Sequence, residues 1–213
     1  MYFRDRIHAG EQLATELIKY KDIEDGIVIG LPRGGVPVAF EVARTLHLPL
    51  DIVCPRKIGA PFNPEYAIGA ITETGEGEFN QYAISSLDVS EEYIQEEVQK
   101  EKAQAQHRLE LYRKGLPSRT LKNKVVFLVD DGIATGSTMR AAIRSVRGEG
   151  AQKIIMAVPV SPPDAFREIS GMVDEAVCLE TPSFFQAVGQ FYEQFGQTAD
   201  EEVIELMKLA NEQ

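Results

Sequence analysis

"VVFLVDDGIATGSTMRAAI", residues 125–143, runs from five apolar residues through two adjacent acids, Asp130 and Asp131, into a turn of small residues and then a helical pattern. A buried strand that ends on two carboxylates favours cations or hydroxyls at its tip. A helix that opens on small and hydroxyl residues favours an anion, because its first backbone N–H groups lack intrahelical partners and carry partial positive charge. Ala134, Thr135, Gly136, Ser137 and Thr138 occupy that junction, with glycine allowing close approach and three hydroxyls able to donate. The two preferences describe one molecule if the loop takes a phosphate monoester and the acids take vicinal hydroxyls, or hydrated Mg2+ bound to them. A ribose 5-phosphate has that layout. An ordinary capped helix after two solvated acids is the alternative, since Asp-Gly turns are common. The stretch is neither a Walker loop nor a dinucleotide-binding G-x-G-x-x-G turn.

Outward from this stretch, strand-like segments rich in Val and Ile recur at Gly26–Gly30, Leu50–Pro55, Lys124–Val129 and Lys153–Val158, with a weaker one at Ala176–Leu179. Helical patterns at Val36–Leu46, Ser137–Glu149 and Pro163–Ile169 alternate with them. Near-continuous apolar strands alternating with helices predict an α/β fold, a parallel sheet covered on both faces, with ligands beyond the carboxyl ends of the strands. Asp88–Arg113 breaks the alternation and reads as one long helix, capped by Asp88 or Ser90, with a narrow apolar stripe of Ile94, Val98, Ala105, Leu109 and Tyr112. The segment from Ser183 is aromatic and leads to an acidic helix starting near Asp200. No repeat or low-complexity linker divides the 213 residues, so one domain over 1–213 is expected.

The net charge of −11 argues against a sequence-independent grip on nucleic acid. No apolar run approaches the roughly 20 residues that cross a bilayer, and the amino-terminal residues lack a signal-like apolar stretch. Cys54 and Cys178 are far apart in apolar settings and read as reduced thiols, which points to the cytoplasm. The three histidines are scattered, and all three are read as non-ligands.

"VFLVDDGIATGST" resembles the phosphoribosyl pyrophosphate (PRPP) motif of the type I phosphoribosyltransferases. The resemblance implies a Rossmann-like parallel sheet flanked by helices, with the acids of the motif, here Asp130 and Asp131, beside the ribose hydroxyls and Mg2+. It implies that the loop Ala134–Thr138 holds the 5′-phosphate. It further implies Mg2+ bound mainly through PRPP, pyrophosphate and water, and a homodimer, for which the long helix offers a contact surface. Two more motifs follow the family's order. "VIGLPRGGVPVA" supplies a pyrophosphate loop in Arg33, Gly34 and Gly35, where glycines free the backbone to turn its amides toward an anion and Arg33 adds charge. Family members often carry a cis peptide here, so the Pro32–Arg33 bond is expected to be cis. "CPRKIGAPFNPEYAIGAI" opens on Arg56 and Lys57, which resemble the Arg-Lys pair at the mobile loop of the adenine and orotate enzymes, again facing pyrophosphate.

The Gly- and Pro-rich stretch from Gly59 to Thr74 suits a lid, although Ala67–Thr72 also reads as a strand of the same sheet. Glu65, Tyr66 and Glu73 are its catalytic candidates. The resemblance covers a core of about 23–160; residues 1–9 and 159–195 are expected to form the hood that selects the acceptor base, with Phe184 and Phe185 as candidates to stack it, and Phe191 and Tyr192 behind them. One departure concerns the general base: hypoxanthine–guanine enzymes place an aspartate where this chain has Ala134, which disfavours a 6-oxopurine. The expected activity is Mg2+-dependent transfer of ribose 5-phosphate from PRPP to a nitrogenous base, in a branch of the family whose acceptor is unassigned. The rival from another class is a PRPP-sensing regulator without catalysis. A hydrolase using Asp130 as nucleophile lacks the expected D-x-D spacing and metal cluster.

Overall fold

A strand buried on both faces must be apolar at successive positions, and parallel neighbours need a crossover between them. The computed structural model describes residues 3–117 and 119–212, with Glu65 described by its backbone alone. The first half comprises α1 (Arg6–Glu16), β1 (Gly26–Gly30), α2 (Gly35–Leu46), β2 (Leu50–Ile52), β3 (Arg56–Ala60), β4 (Asn63–Ile71), β5 (Gly77–Phe79) and α3 (Gln81–Ser86). There follow α4 (Glu91–Tyr112), β6 (Val125–Val129), α5 (Ser137–Gly148), β7 (Lys153–Val160), α6 (Pro163–Ser170), β8 (Glu175–Glu180) and α7 (Asp200–Asn211). The main sheet has the order β2-β1-β6-β7-β8 and is parallel throughout.

Side-chain alternation divides this sheet between two cores. Val28, Phe127, Val129, Ile155 and Ala157 face α1, α2 and α7. Ile27, Ile29, Val126, Leu128, Ile154, Met156 and Val158 face α5 and α6. The Pro32–Arg33 bond is cis, as the resemblance implied.

Three expectations need correction. The strand at 50–55 ends at Ile52. Residues 67–71 are a strand, but they lie in β4 of a separate antiparallel sheet, β3-β4-β5, not in the main sheet. The long helix starts at Glu91 with Ser90 as its cap, because Asp88 has φ +49°, which is not helical. Its predicted stripe is used internally, in two halves. Ile94 and Val98 pack on the second sheet, whereas Ala105, Leu109 and Tyr112 join the main core.

A buried ion network links the two sheets. Arg119, 9% exposed, reaches Glu73 at 3.2 Å and Glu149 at 3.1 Å and also donates to the Ile52 carbonyl. Asp51 receives two bonds from Arg113, at 2.8 and 2.9 Å. Removing one member of such a network leaves the others charged and unpaired in a poorly solvated place. Arg119→Leu is therefore expected to lower unfolding free energy by about 3–5 kcal/mol, read as a lower denaturant midpoint.

Candidate active site

The site starts from register. Gly26 to Gly30 pair residue for residue with Val125 to Val129, so β1 and β6 end level. Leu31 N–H donates to the Val129 carbonyl at 3.0 Å, which sets the turn after β1 beside the acids after β6. The connection from β1 leads outward to β2, and the one from β6 leads the opposite way to β7. Their junction is the switch point at which open parallel sheets form a crevice.

The two turns touch. A Cβ on Gly34 would overlap Asp131 Oδ2, and one on Gly35 would lie 2.8 Å from Asp130 Oδ1. Gly34 has an ordinary helical φ of −60°, so glycine is required there for room rather than for backbone freedom. The result is an Arg33–Gly34–Gly35 turn in contact with both carboxylates.

Two acids this close, with little water, resist ionisation together. Burial first, then the neighbouring Asp131 charge, pushes Asp130 well above the usual carboxylate range. Asp131 is also raised, by burial, and Arg6 opposes the shift. Arg6 Nε donates to Asp131 Oδ2 at 2.8 Å and its Nη2 lies 2.8 Å from the same oxygen. Tyr192, whose hydroxyl donates to the Asp131 carbonyl at 2.6 Å, is buried beneath them.

The loop after the acids turns through Gly136 at φ +79° and enters α5 at Ser137. A Cβ on Gly136 would collide with Ile169 of α6. Thr135 and Ser137 hydroxyls stand 3.3 Å apart. Arg140 Nη2 donates to the Thr135 carbonyl at 2.7 Å, and its buried Nη1 lacks a hydrogen-bond acceptor while lying 3.4 Å from Glu168. A cleft of about 420 Å³, lined by Arg6, Arg33, Gly34, Asp131 and residues Phe195 to Thr198, opens beside the acids. Arg33 lies 3.6 Å from Asp200 at the start of α7.

The remaining predicted residues are distributed more widely. Arg56 and Lys57 open β3 rather than closing β2. Arg56 turns to α4, donating to Glu101 at 2.7 Å and Gln104 at 2.8 Å. Tyr66 is 47% exposed in a small apolar hollow with Phe62 and Leu87. The side chain of Glu65 lies outside the described residues. Glu73 sits on no open lid: it is 5% exposed, accepts the Cys54 N–H at 2.9 Å and pairs with Arg119. Phe184 is 71% exposed, whereas Phe185 stacks on Phe191 with ring centres 5.4 Å apart. No group of three or more His, Cys, Asp or Glu side chains able to hold a metal occurs among the described residues.

Sequence reasoning missed Arg6 and Arg140, and it read Tyr192 as a stacking ring rather than a support for Asp131. Arg6 left one signal. A cation in the first turn of a helix opposes the helix dipole, a cost that the Asp5 cap offsets only in part.

The sequence model of the family described as "Phosphoribosyl transferase domain" matches residues 4–195. A Mycobacterium tuberculosis H37Rv protein named "Putative phosphoribosyl transferase" is 43% identical over 209 residues, covering 98% of this chain and 47% of its own length. The chain thus spans about half the length of that relative. The "Bifunctional protein PyrR" of Clostridium acetobutylicum is 30% identical over 145 residues, 68% of this chain and 62% of that one. The crystal structure of the Thermus thermophilus protein TT1426 superposes with a TM-score of 0.82 at 43% identity, covering 97% of this chain and 98% of that one.

Two outcomes are expected from the geometry. Gly34→Ala must displace the Asp131 carboxylate, and a loss of at least about tenfold in affinity for any ligand of the acids is expected, measured by titration calorimetry. Asp130 carries the opposite sign for stability. Its folded pKa is raised, so its favourable contribution is complete below the unfolded value and is lost as pH rises through the folded one. Asp130→Asn mimics the protonated form. It is expected to raise Tm near neutral pH by about 2–4 °C for each kcal/mol relieved, with the gap closing toward pH ~4.

Proposed function

The chain belongs to the phosphoribosyl transferase family, glycosyltransferases of the pentosyl kind, and from that premise we propose that it transfers ribose 5-phosphate from PRPP to a nitrogenous base, releasing pyrophosphate. The observation that carries this reading is the contact between the Arg33–Gly35 turn and Asp130–Asp131, with the amino terminus of α5 following in the same crevice. In it, residues Ala134 to Thr138 hold the 5′-phosphate and the acids take the ribose hydroxyls. Arg33 and the Gly34–Gly35 turn take the pyrophosphate, through the Gly34 amide since the Gly35 N–H donates to the Leu31 carbonyl at 3.1 Å, with Arg56 and Lys57 approaching it when β3 and β4 close.

Mg2+ fits this donor set: two adjacent carboxylates with no third protein ligand among the described residues suit an ion held mainly by ligand oxygens and water, whose chemistry is to offset the charge of the leaving pyrophosphate. The chain's own share is positioning and electrostatics. The bond from C1 of the ribose to pyrophosphate breaks as a bond to the acceptor nitrogen forms, and the nitrogen loses its proton. Glu73 is committed to Arg119 and the Cys54 amide, which leaves Glu65 as the proposed lid base, or an acceptor that arrives ionised or gives its proton to the departing pyrophosphate. Phe184, exposed, remains the proposed stacking ring. We place the reaction in the cytoplasm and the protein in a homodimer. Because the apolar stripe of α4 faces inward, that helix would meet a second copy with its charged side.

Pyrophosphate release from PRPP and Mg2+, measured against a panel of purines, pyrimidines and related heterocycles, tests the proposal. Release that depends on one base and disappears in Asp130→Asn/Asp131→Asn is the expected result. PRPP binding without release would turn the reading to a sensor, and no PRPP binding would refute both.

A further inference from the structure

We propose that Arg6 and Tyr192 are positioning residues, brought together by pairing of the segments that carry them, and that they fix Asp131 in the orientation in which it meets the ribose hydroxyls. This rests on the function proposed above. The pairing is backbone-built: Phe3 N–H donates to the Phe191 carbonyl, Glu193 N–H to that of Phe3 and Gln194 N–H to that of Arg4, each at 2.8 Å. Phe3 is fully buried beside the Tyr192 ring, with centres 5.3 Å apart.

From this pairing, Arg6 and Tyr192 converge on one residue. Tyr192 holds the backbone of Asp131 by its carbonyl, and Arg6 holds the side chain. Both guanidinium contacts go to Oδ2, the oxygen pressed against Gly34, so one oxygen of the carboxylate is fixed from two sides. Arg6 is itself fixed on its other sides. Its Nη1 donates to the Gly196 carbonyl at 2.7 Å, and its guanidinium lies over the Phe195 ring at 4.0 Å. A planar fork serves these partners at once; an ammonium on a flexible stem does not. Arg6 and Asp131 line the same cleft, which places the grip at the ligand's side rather than deep in a core.

The test is calorimetry in Mg2+ with two probes, PRPP and pyrophosphate alone, because only PRPP presents ribose hydroxyls. Arg6→Gln is expected to weaken PRPP by about tenfold or more while leaving pyrophosphate within about twofold. Tyr192→Phe is expected to act in the same direction with a smaller loss, and Arg6→Lys to recover little. In an Asp131→Asn background, Arg6→Gln is expected to add almost nothing, since its effect passes through that carboxylate. Unchanged PRPP affinity in Arg6→Gln, parallel loss of both probes, or additive losses in the double variant would each overturn the inference. If the wild type binds PRPP and Arg6→Gln binds it equally, the functional reading stands and this one fails. If the wild type does not bind PRPP, both fall.

Discussion

The level pairing of β1 with β6 is the constraint on which the rest of the site depends. Parallel ladders transmit position along the strand, so a shift of one residue between these two would move the turn after β1 away from the acids and reverse which core each side chain enters. Val28 lies beside Phe127, and Ile29 beside Leu128, each pair facing its own layer of helices. The packing of two cores therefore fixes the distance between two loops. The absence of side chains at Gly34 and Gly35 then lets those loops meet.

Such a meeting is electrostatically unfavourable by itself. Withdrawal from water raises the proton affinity of both carboxylates, Asp131 adds to the rise at Asp130, and the fold answers by surrounding them with donors rather than by separating them. Asp131 N–H donates to Asp130 Oδ1 at 2.9 Å, Arg6 neutralises Asp131, and Tyr192 takes its carbonyl. The stress is local, and it sits where hydroxyl donors or a hydrated cation would relieve it.

Much of the main sheet was legible because its strands are apolar at consecutive positions, a pattern that no amphipathic element imitates. The acids and the Gly136 turn were legible for a related reason: polar and small residues stand out at the tip of a buried strand. The second sheet was legible only in β4, where Ala67–Thr72 read as a strand but of the main sheet. Residues 56–79 are rich in Gly and Pro and carry no long apolar run, so a bulged hairpin and a flexible loop look alike in sequence. Glu73 was misplaced for the same reason, since its environment comes from Arg119 and Cys54, far from it in the chain. Arg6 lay out of reach because its partners are 125 and 190 residues away.

Those separations also order events in time. A contact closed across nearly the full described length carries a large loop-closure entropy and forms late, after local helices and neighbouring strands. On a chain made from its amino terminus, the sheet tip with Asp130 and Asp131 is synthesised long before Tyr192 and Gly196 exist to grip it. A nascent or carboxy-terminally trimmed chain could thus possess its sheet while its acid pair is still unrestrained. Ligand competence would then report completion of folding rather than its onset.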